Sequence, residues 1–320
     1  MAYTTIDDPS VYFQTTIYTG NGGSQDITNG GNSDLQPDWL WIKQRSGAAA
    51  VSSHVVKDSS RGVTKEVYPN AVTTEGTNSL IDGLLSDGFS INNTANDHYN
   101  YGNALYVAWQ WKANGGTRTT YNESGNNPAG GYQANTDAGF SIVDWTGTGG
   151  AGGTIAHGLG AAPHLIFVKC RNTAHDWAVF HHHNTGAPAT DYVVLNENNA
   201  TADAVNKWND TLPDSNNITL GDGGGVNAND QTHIAYVFTE KQGYSRFGTY
   251  KGINSADGTF VYTGFKPALV MIKRTDSTGN WVMNDSARNP NNQANNTLNP
   301  DVTAAESTND YYAMDLLSNG

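Results

Sequence analysis

The 320-residue chain carries 17 Lys plus Arg against 30 Asp plus Glu, a formal charge of −13, with 15% charged residues, 36 glycines and one cysteine. So acidic a chain, with no dense Lys/Arg run, excludes a nucleic-acid partner, because a phosphate backbone is bound by clustered cations that displace its counterions. The lone Cys170 excludes an intramolecular disulfide and a cysteine-based zinc site, and no apolar stretch is long enough to insert in a membrane as a spanning helix.

In chain order, the first residues, Met1 to Asp8, are polar and acidic, unlike a secretory leader, and residues 1–11 read as an N-terminal arm. From Tyr12 onward, short Val/Ile/Tyr/Trp runs are punctuated by Gly, Asn, Asp and Pro. That pattern predicts an all-β protein with many turns. One phrase then occurs three times: Pro37-Asp-Trp-Leu-Trp-Ile-Lys43, Pro163-His-Leu-Ile-Phe-Val-Lys169 and Pro267-Ala-Leu-Val-Met-Ile-Lys273, with an arginine following at Arg45, Arg171 and Arg274. In the first copy Trp39, Trp41 and Lys43 share one face while Leu40 and Ile42 share the other. Both faces are apolar, as in a central strand covered on both sides.

Tyr18-Thr-Gly20, Trp145-Thr-Gly147 and Tyr250-Lys-Gly252 each close an aromatic strand upstream of the phrase. Downstream, Asp58-Ser-Ser-Arg61 matches Asp285-Ser-Ala-Arg288, a spacing that predicts an Asx-type turn with a charge-assisted contact. Copy two has Phe180-His-His-His183 instead. Tyr106–Trp111 and His233–Phe238 alternate as closing strands. The prolines lie 126 and then 104 residues apart, so the units are domain-sized and not blades of a short-period array.

The expected organisation is tandem antiparallel β-sandwich domains: the arm at 1–11, repeat 1 at 12–113, a Gly/Asn-rich linker or hairpin excursion at 114–137, repeat 2 at 138–241, and an incomplete repeat 3 at 242–320. Leu317–Gly320 aligns with Leu85–Gly88, and copy one needs 23 more residues to reach Trp111. Either the sequence is a fragment, the favoured reading, or another subunit supplies the closing strand.

The opening Met1 to Ser10, the Tyr18–Gly22 turn, Gln36–Lys43, Val107–Lys112, His157–Gly160 and Val261–Phe265 resemble tandem-repeat structural and tail-fibre-like proteins of tailed, particularly marine, bacteriophages. The resemblance covers essentially the whole chain and implies a location in the virion more firmly than an activity. It defines no catalytic or ligand residues.

The features outside the repeat are the candidate sites. His181 and His183 would share a strand face and could bind zinc or nickel, with His157 or His164 as a third ligand; a polar histidine-rich turn is the alternative. Asp222, Asn227, Asn229 and Asp230 on a glycine-rich loop could hold calcium; a solvated hairpin loop is the alternative. Trp208, Asn209, Asp210, Tyr99 and Tyr101 have the aromatic-plus-amide makeup of a glycan-binding surface, though tryptophans in β-sandwiches mostly serve cores. No nucleophile elbow, phosphate loop or metalloprotease helix is present, so an enzyme is not expected.

The sequence therefore points to a virion structural protein of lectin-like jelly rolls, made in the host cytoplasm. It would be homo-oligomeric, contact other virion proteins, require no cofactor beyond optional calcium, and attach to host-surface glycans by avidity. The alternatives are a purely architectural decoration or connector protein and, more remotely, a polysaccharide-degrading tail enzyme or an extracellular fibre subunit.

Overall fold

The computed structural model describes residues 3–47, 52–92, 96, 98–255 and 257–320. It is built mostly of antiparallel strands, with two single-turn α-helices (Val205–Trp208 and Gly224–Asn227) and two 3-10 turns. Among the described residues no helix is long and apolar enough to cross a membrane.

Unit 1 has a four-stranded sheet in which the closing strand, Leu105–Trp111, lies between the opening strand, Phe13–Thr19, and the phrase strand, Trp39–Ser46. The phrase strand then pairs with Val55–Asp58, here termed the clip strand. Unit 2 repeats this order with Phe140–Thr146, Thr232–Phe238, Leu165–Cys170 and Ala178–His181. In units 1 and 2 the closing strand comes last of these four in the chain yet lies between the opening and phrase strands, so both units are finished by inserting it between strands made much earlier.

Period-2 alternation gives the phrase and closing strands of units 1 and 2 two buried faces. In unit 1, Leu40, Ile42, Tyr106 and Ala108 pack on the second sheet through Ile27, Ile81, Phe89 and Ile91. In unit 2, Ile166, Val168, Ala235 and Val237 pack on Ile155, Ile218 and Leu220. The opposite faces of all three units meet in one shared core containing Trp39, Trp41, Trp109, Phe167, Trp177, Tyr236, Trp281 and Met283. Trp39 is its hub, with ring centroids 4.4 Å from Trp111 and 4.5 Å from Tyr236 of unit 2.

Of the two readings of 114–137, the hairpin excursion is the one the structure takes: Thr119–Tyr121 and Ala129–Asn135 form a hairpin that extends the unit 2 sheet by pairing with its opening strand. Its glycines are required by close approach, since a Cβ on Gly130 would lie 2.2 Å from the Asp144 carbonyl oxygen. The N-terminal arm packs on the rest over its described residues: Ile6 is buried, and the Tyr3 hydroxyl lies 3.4 Å from that of Tyr262 in unit 3. Met1 and Ala2 lie outside the described residues.

Among the described residues unit 3 contains two short two-stranded ladders: Leu269–Ile272 with Val282–Asp285, at the phrase and clip positions, and Asn296–Thr297 with Ser307–Thr308. Residues 246–251, in the place of an opening strand, form no ladder. The physical reason is visible in unit 1, whose opening strand pairs only with the closing strand. Among the described residues no such strand lies beside the unit 3 segment, so its backbone N–H and C=O groups have no ladder to join.

Candidate assembly site

The three units are joined around the shared core by bonds that repeat from seam to seam. The phrase lysine of each unit donates to a backbone carbonyl of another: Lys43 to Thr303 at 2.8 Å, Lys169 to Val72 at 2.8 Å, and Lys273 to Asn198 at 3.1 Å. Unit 1 thus binds unit 3, unit 2 binds unit 1, and unit 3 binds unit 2, which closes a ring. A ring nitrogen crosses at each seam as well. Trp177 Nε1 donates to the Tyr68 carbonyl, Trp281 Nε1 donates to the Val194 carbonyl, and His54 Nε2 lies 3.1 Å from the Asn299 carbonyl.

The Asp-x-x-Arg clips belong to these seams. Asp58 and Arg61 pair at 2.6 Å, Arg61 reaches Glu75 at 3.1 Å, and Glu75 accepts from Arg171 of unit 2 at 2.8 Å. Asp285 and Arg288 pair at 2.6 Å, Arg288 reaches Glu306 at 2.9 Å, and Glu306 accepts two bonds from Arg45 of unit 1. The closing strands complete both networks: the Tyr236 hydroxyl donates to Asp58 at 2.7 Å and Trp109 Nε1 to Asp285 at 3.1 Å. Burial raises the pKa of Glu75, but the hydrogen bond from Arg171 and the charge of Arg61 outweigh it and hold the carboxyl below its ordinary range. These are desolvated, hydrogen-bonded ion pairs, the kind whose breakage leaves an uncompensated charge.

The third seam lacks this network. Arg274 turns to solvent and pairs with Asp276, both well exposed. In unit 2, His181 holds the position that Asp58 and Asp285 hold in the others, since all three end their clip strands. Among the described residues no closing-strand aromatic meets it, as Tyr236 meets Asp58 and Trp109 meets Asp285. The consequence is an open edge. The phrase strand residues Leu269–Ile272 are all half-buried, whereas Trp39–Ile42 are all buried. Tyr250 is 50% exposed although Trp145, its counterpart, is 2% exposed. Ile253, Phe260, Val261 and Tyr262 are exposed on the same unit.

Burial lowers the lysine pKa values, Lys43 to about 7, Lys169 to about 8, and Lys273 in the same direction; Lys57 inside unit 1 falls to about 8. Between those values and the ordinary 10.4 the folded chain sheds protons that the unfolded chain keeps, so stability rises with pH. The expected result is a urea midpoint that climbs from pH 7 to pH 9, by up to about 1.4 kcal/mol per pH unit for each neutralised lysine. Lys43→Met is expected to flatten the climb; a midpoint that is level or falls over this window contradicts it.

A family model described as a domain of unknown function, DUF7483, matches residues 8–320 and so spans all three units. The chain belongs to the DUF7483 family. No curated protein and no solved structure matches it. The family description carries no activity, partner or location.

The expected site residues of this DUF7483 chain are scattered. Trp208 is buried, its indole donating to the Asp191 carbonyl at 3.1 Å, and Tyr99 is buried with its hydroxyl on Glu66. Neither offers a ring face to a sugar, which corrects their reading as stacking residues. Asn209 and Asp210 have φ of 51° and 49°, the left-handed geometry that ends a helical turn and favours such residues. Tyr101 alone of this set has an exposed ring, at 37%.

The calcium loop does not gather its oxygens either. Asn227 is buried and spends its side chain on Thr148 and Gly150, Asn229 donates to Asp230, and Asp222 is exposed. His181 and His183 do not pair as ligands: His181 Nδ1 accepts the His183 amide at 3.1 Å. His157 is buried elsewhere, against the Asp214 carbonyl and the Leu159 amide. The inter-unit lysines and arginines were missed, although the thrice-repeated Lys and Arg were the available signal.

Proposed function

We propose that the chain is an architectural protein, a building block of a virion as its phage resemblance implies, and that the free edge of unit 3 accepts a closing strand, whether from the same polypeptide or from a neighbour. One observation carries this reading: units 1 and 2 each hold a closing strand between opening and phrase strands, while among the described residues no strand lies beside the unit 3 phrase strand on that side. An unpaired strand edge beside exposed apolar side chains is a template for strand addition. Glycan attachment becomes the weaker reading, since Trp208 and Tyr99 are buried and only Tyr101 of that set shows a ring, while unit 3 exposes Tyr250, Ile253, Phe260, Val261 and Tyr262. Assembly surfaces favour such patches beside a domain. On this reading each completed unit is a jelly-roll-like sandwich that supplies rigidity.

The test appends a copy of residues 89–111 after Gly320, and in parallel adds a peptide of residues 89–112 to the unaltered chain. Both additions supply the missing second-sheet and closing strands. Thermal stability is expected to rise in each case, and the exposed patch of unit 3 to become protected from a hydrophobic dye. Self-association through unit 3 before any addition would identify a second copy as the cover. A monomer indifferent to both additions would sink the proposal.

A further inference from the structure

We propose that His164, His182 and Glu240 form a binding site for a divalent transition-metal ion of the zinc class. Their ligand atoms all lie within 4.8 Å of one another, and the three side chains are each half-buried. Among the described residues they are the group of three His, Cys, Asp or Glu side chains so placed.

The strongest argument is positional. His164 donates its backbone N–H to Phe238 at 2.7 Å, as Asp38 donates to Trp111 at 2.8 Å, and His182 donates to the His164 carbonyl at 2.9 Å, as Ser59 donates to Asp38 at 2.9 Å. Phe238 and Trp111 end the two closing strands, so Glu240 stands where Ala113 stands in unit 1. Asp38, Ser59 and Ala113 form a hydrogen-bond hub there: the Asp38 carboxylate accepts from Ser59 and from the amides of Ala113, Gly115 and Gly116. In unit 2 all three residues have become metal-ligand types together. The hub fastens the chain leaving the closing strand, and a metal ion in unit 2 would do the same for the segment leading into unit 3.

The surroundings orient the donors in the way outer-sphere groups do. His182 donates Nε2–H to the Phe247 carbonyl at 3.0 Å, which leaves Nδ1 with its lone pair. His164 Nδ1 accepts the Glu240 amide N–H and lies 3.1 Å from the Thr239 hydroxyl; a metal ion at Nε2 requires the other tautomer, in which Nδ1–H gives up the amide and donates to that hydroxyl. Glu240 is held by the Phe247 amide at 2.8 Å and by Arg246 at 3.1 Å. Arg246 is 57% exposed, so a metal ion displaces only a surface ion pair. Tetrahedral zinc, with bonds of about 2.0–2.1 Å, draws its donors to roughly 3.4 Å apart, a closure that side-chain rotation provides. Two imidazoles and a carboxylate suit zinc, and the fourth position is left for water. His183 stacks on His182 at 3.8 Å and stands outside the set.

The test measures zinc and cobalt binding to the full chain by calorimetry and visible absorption, with melting temperature as the second readout. One ion per chain, a tetrahedral cobalt spectrum and a rise in melting temperature are expected. Glu240→Ala and His182→Ser install the residues unit 1 carries at these positions, so folding is retained, and each is expected to weaken binding at least tenfold. His183→Ala is expected to bind as the unaltered chain does. Equal affinity in the Glu240→Ala, His182→Ser double variant, or no binding at millimolar zinc, overturns the proposal.

Discussion

Trp39→Ala is expected to lower the unfolding free energy by about 3–5 kcal/mol, the range for truncating a buried aromatic residue. Trp39 is 2% exposed and lies against Trp41, Trp111, Phe140, Tyr236 and Phe238, so its loss opens a cavity between unit 1 and unit 2. The neighbouring strands are fixed by ladders on both sides and have little freedom to close in. Because the cavity is shared, unit 1 and unit 2 are expected to lose stability together, in one transition, by chemical denaturation. A loss below about 1 kcal/mol, the size typical of an unremarkable substitution, would mean that the units do not meet on this residue.

Arg288→Met is expected to cost about 3–5 kcal/mol by leaving the Asp285 carboxylate buried without its cation. Both side chains are 0% exposed, and the guanidinium also donates to the Met283 and Asn296 carbonyls and to Glu306. The arginine is therefore the piece on which the unit 1 to unit 3 seam converges. Arg274→Met is the internal control, because its pair with Asp276 is solvent-exposed and worth at most about 1 kcal/mol. Equal costs for the two variants would contradict the assignment of Arg288 to a buried seam.

Much of the strand pattern was legible because alternation reports burial directly. Leu40 and Ile42 against Trp39 and Trp41 announced a strand covered on both faces, and the structure covers both. Alternation does not say what does the covering, so the meeting of three units on one core was invisible. Lys43 read as the polar end of a strand, yet it is fully buried and crosses to Thr303, 260 residues away. Such bonds leave no local periodicity to detect. Trp208 and Tyr99 misled for a related reason: aromatic and amide residues in a turn have the same composition whether the ring points into a core or out to a ligand. The histidine run was visible as a departure from the repeat. Its metal-competent member is His182 and not its neighbours, because the other donors, His164 and Glu240, arrive from separate strands.

The most direct test of an open third unit is backbone hydrogen exchange read strand by strand. In the unaltered chain Trp39–Ile42 and Leu165–Val168 are expected to exchange only with global unfolding, and Leu269–Ile272 to exchange faster by local opening. Adding the 89–112 peptide is expected to slow exchange at Leu269–Ile272 and at residues 246–251, leaving the other two phrase strands unchanged. If all three phrase strands are equally protected beforehand, and the peptide alters none of them, unit 3 has no slot to fill and the account is wrong.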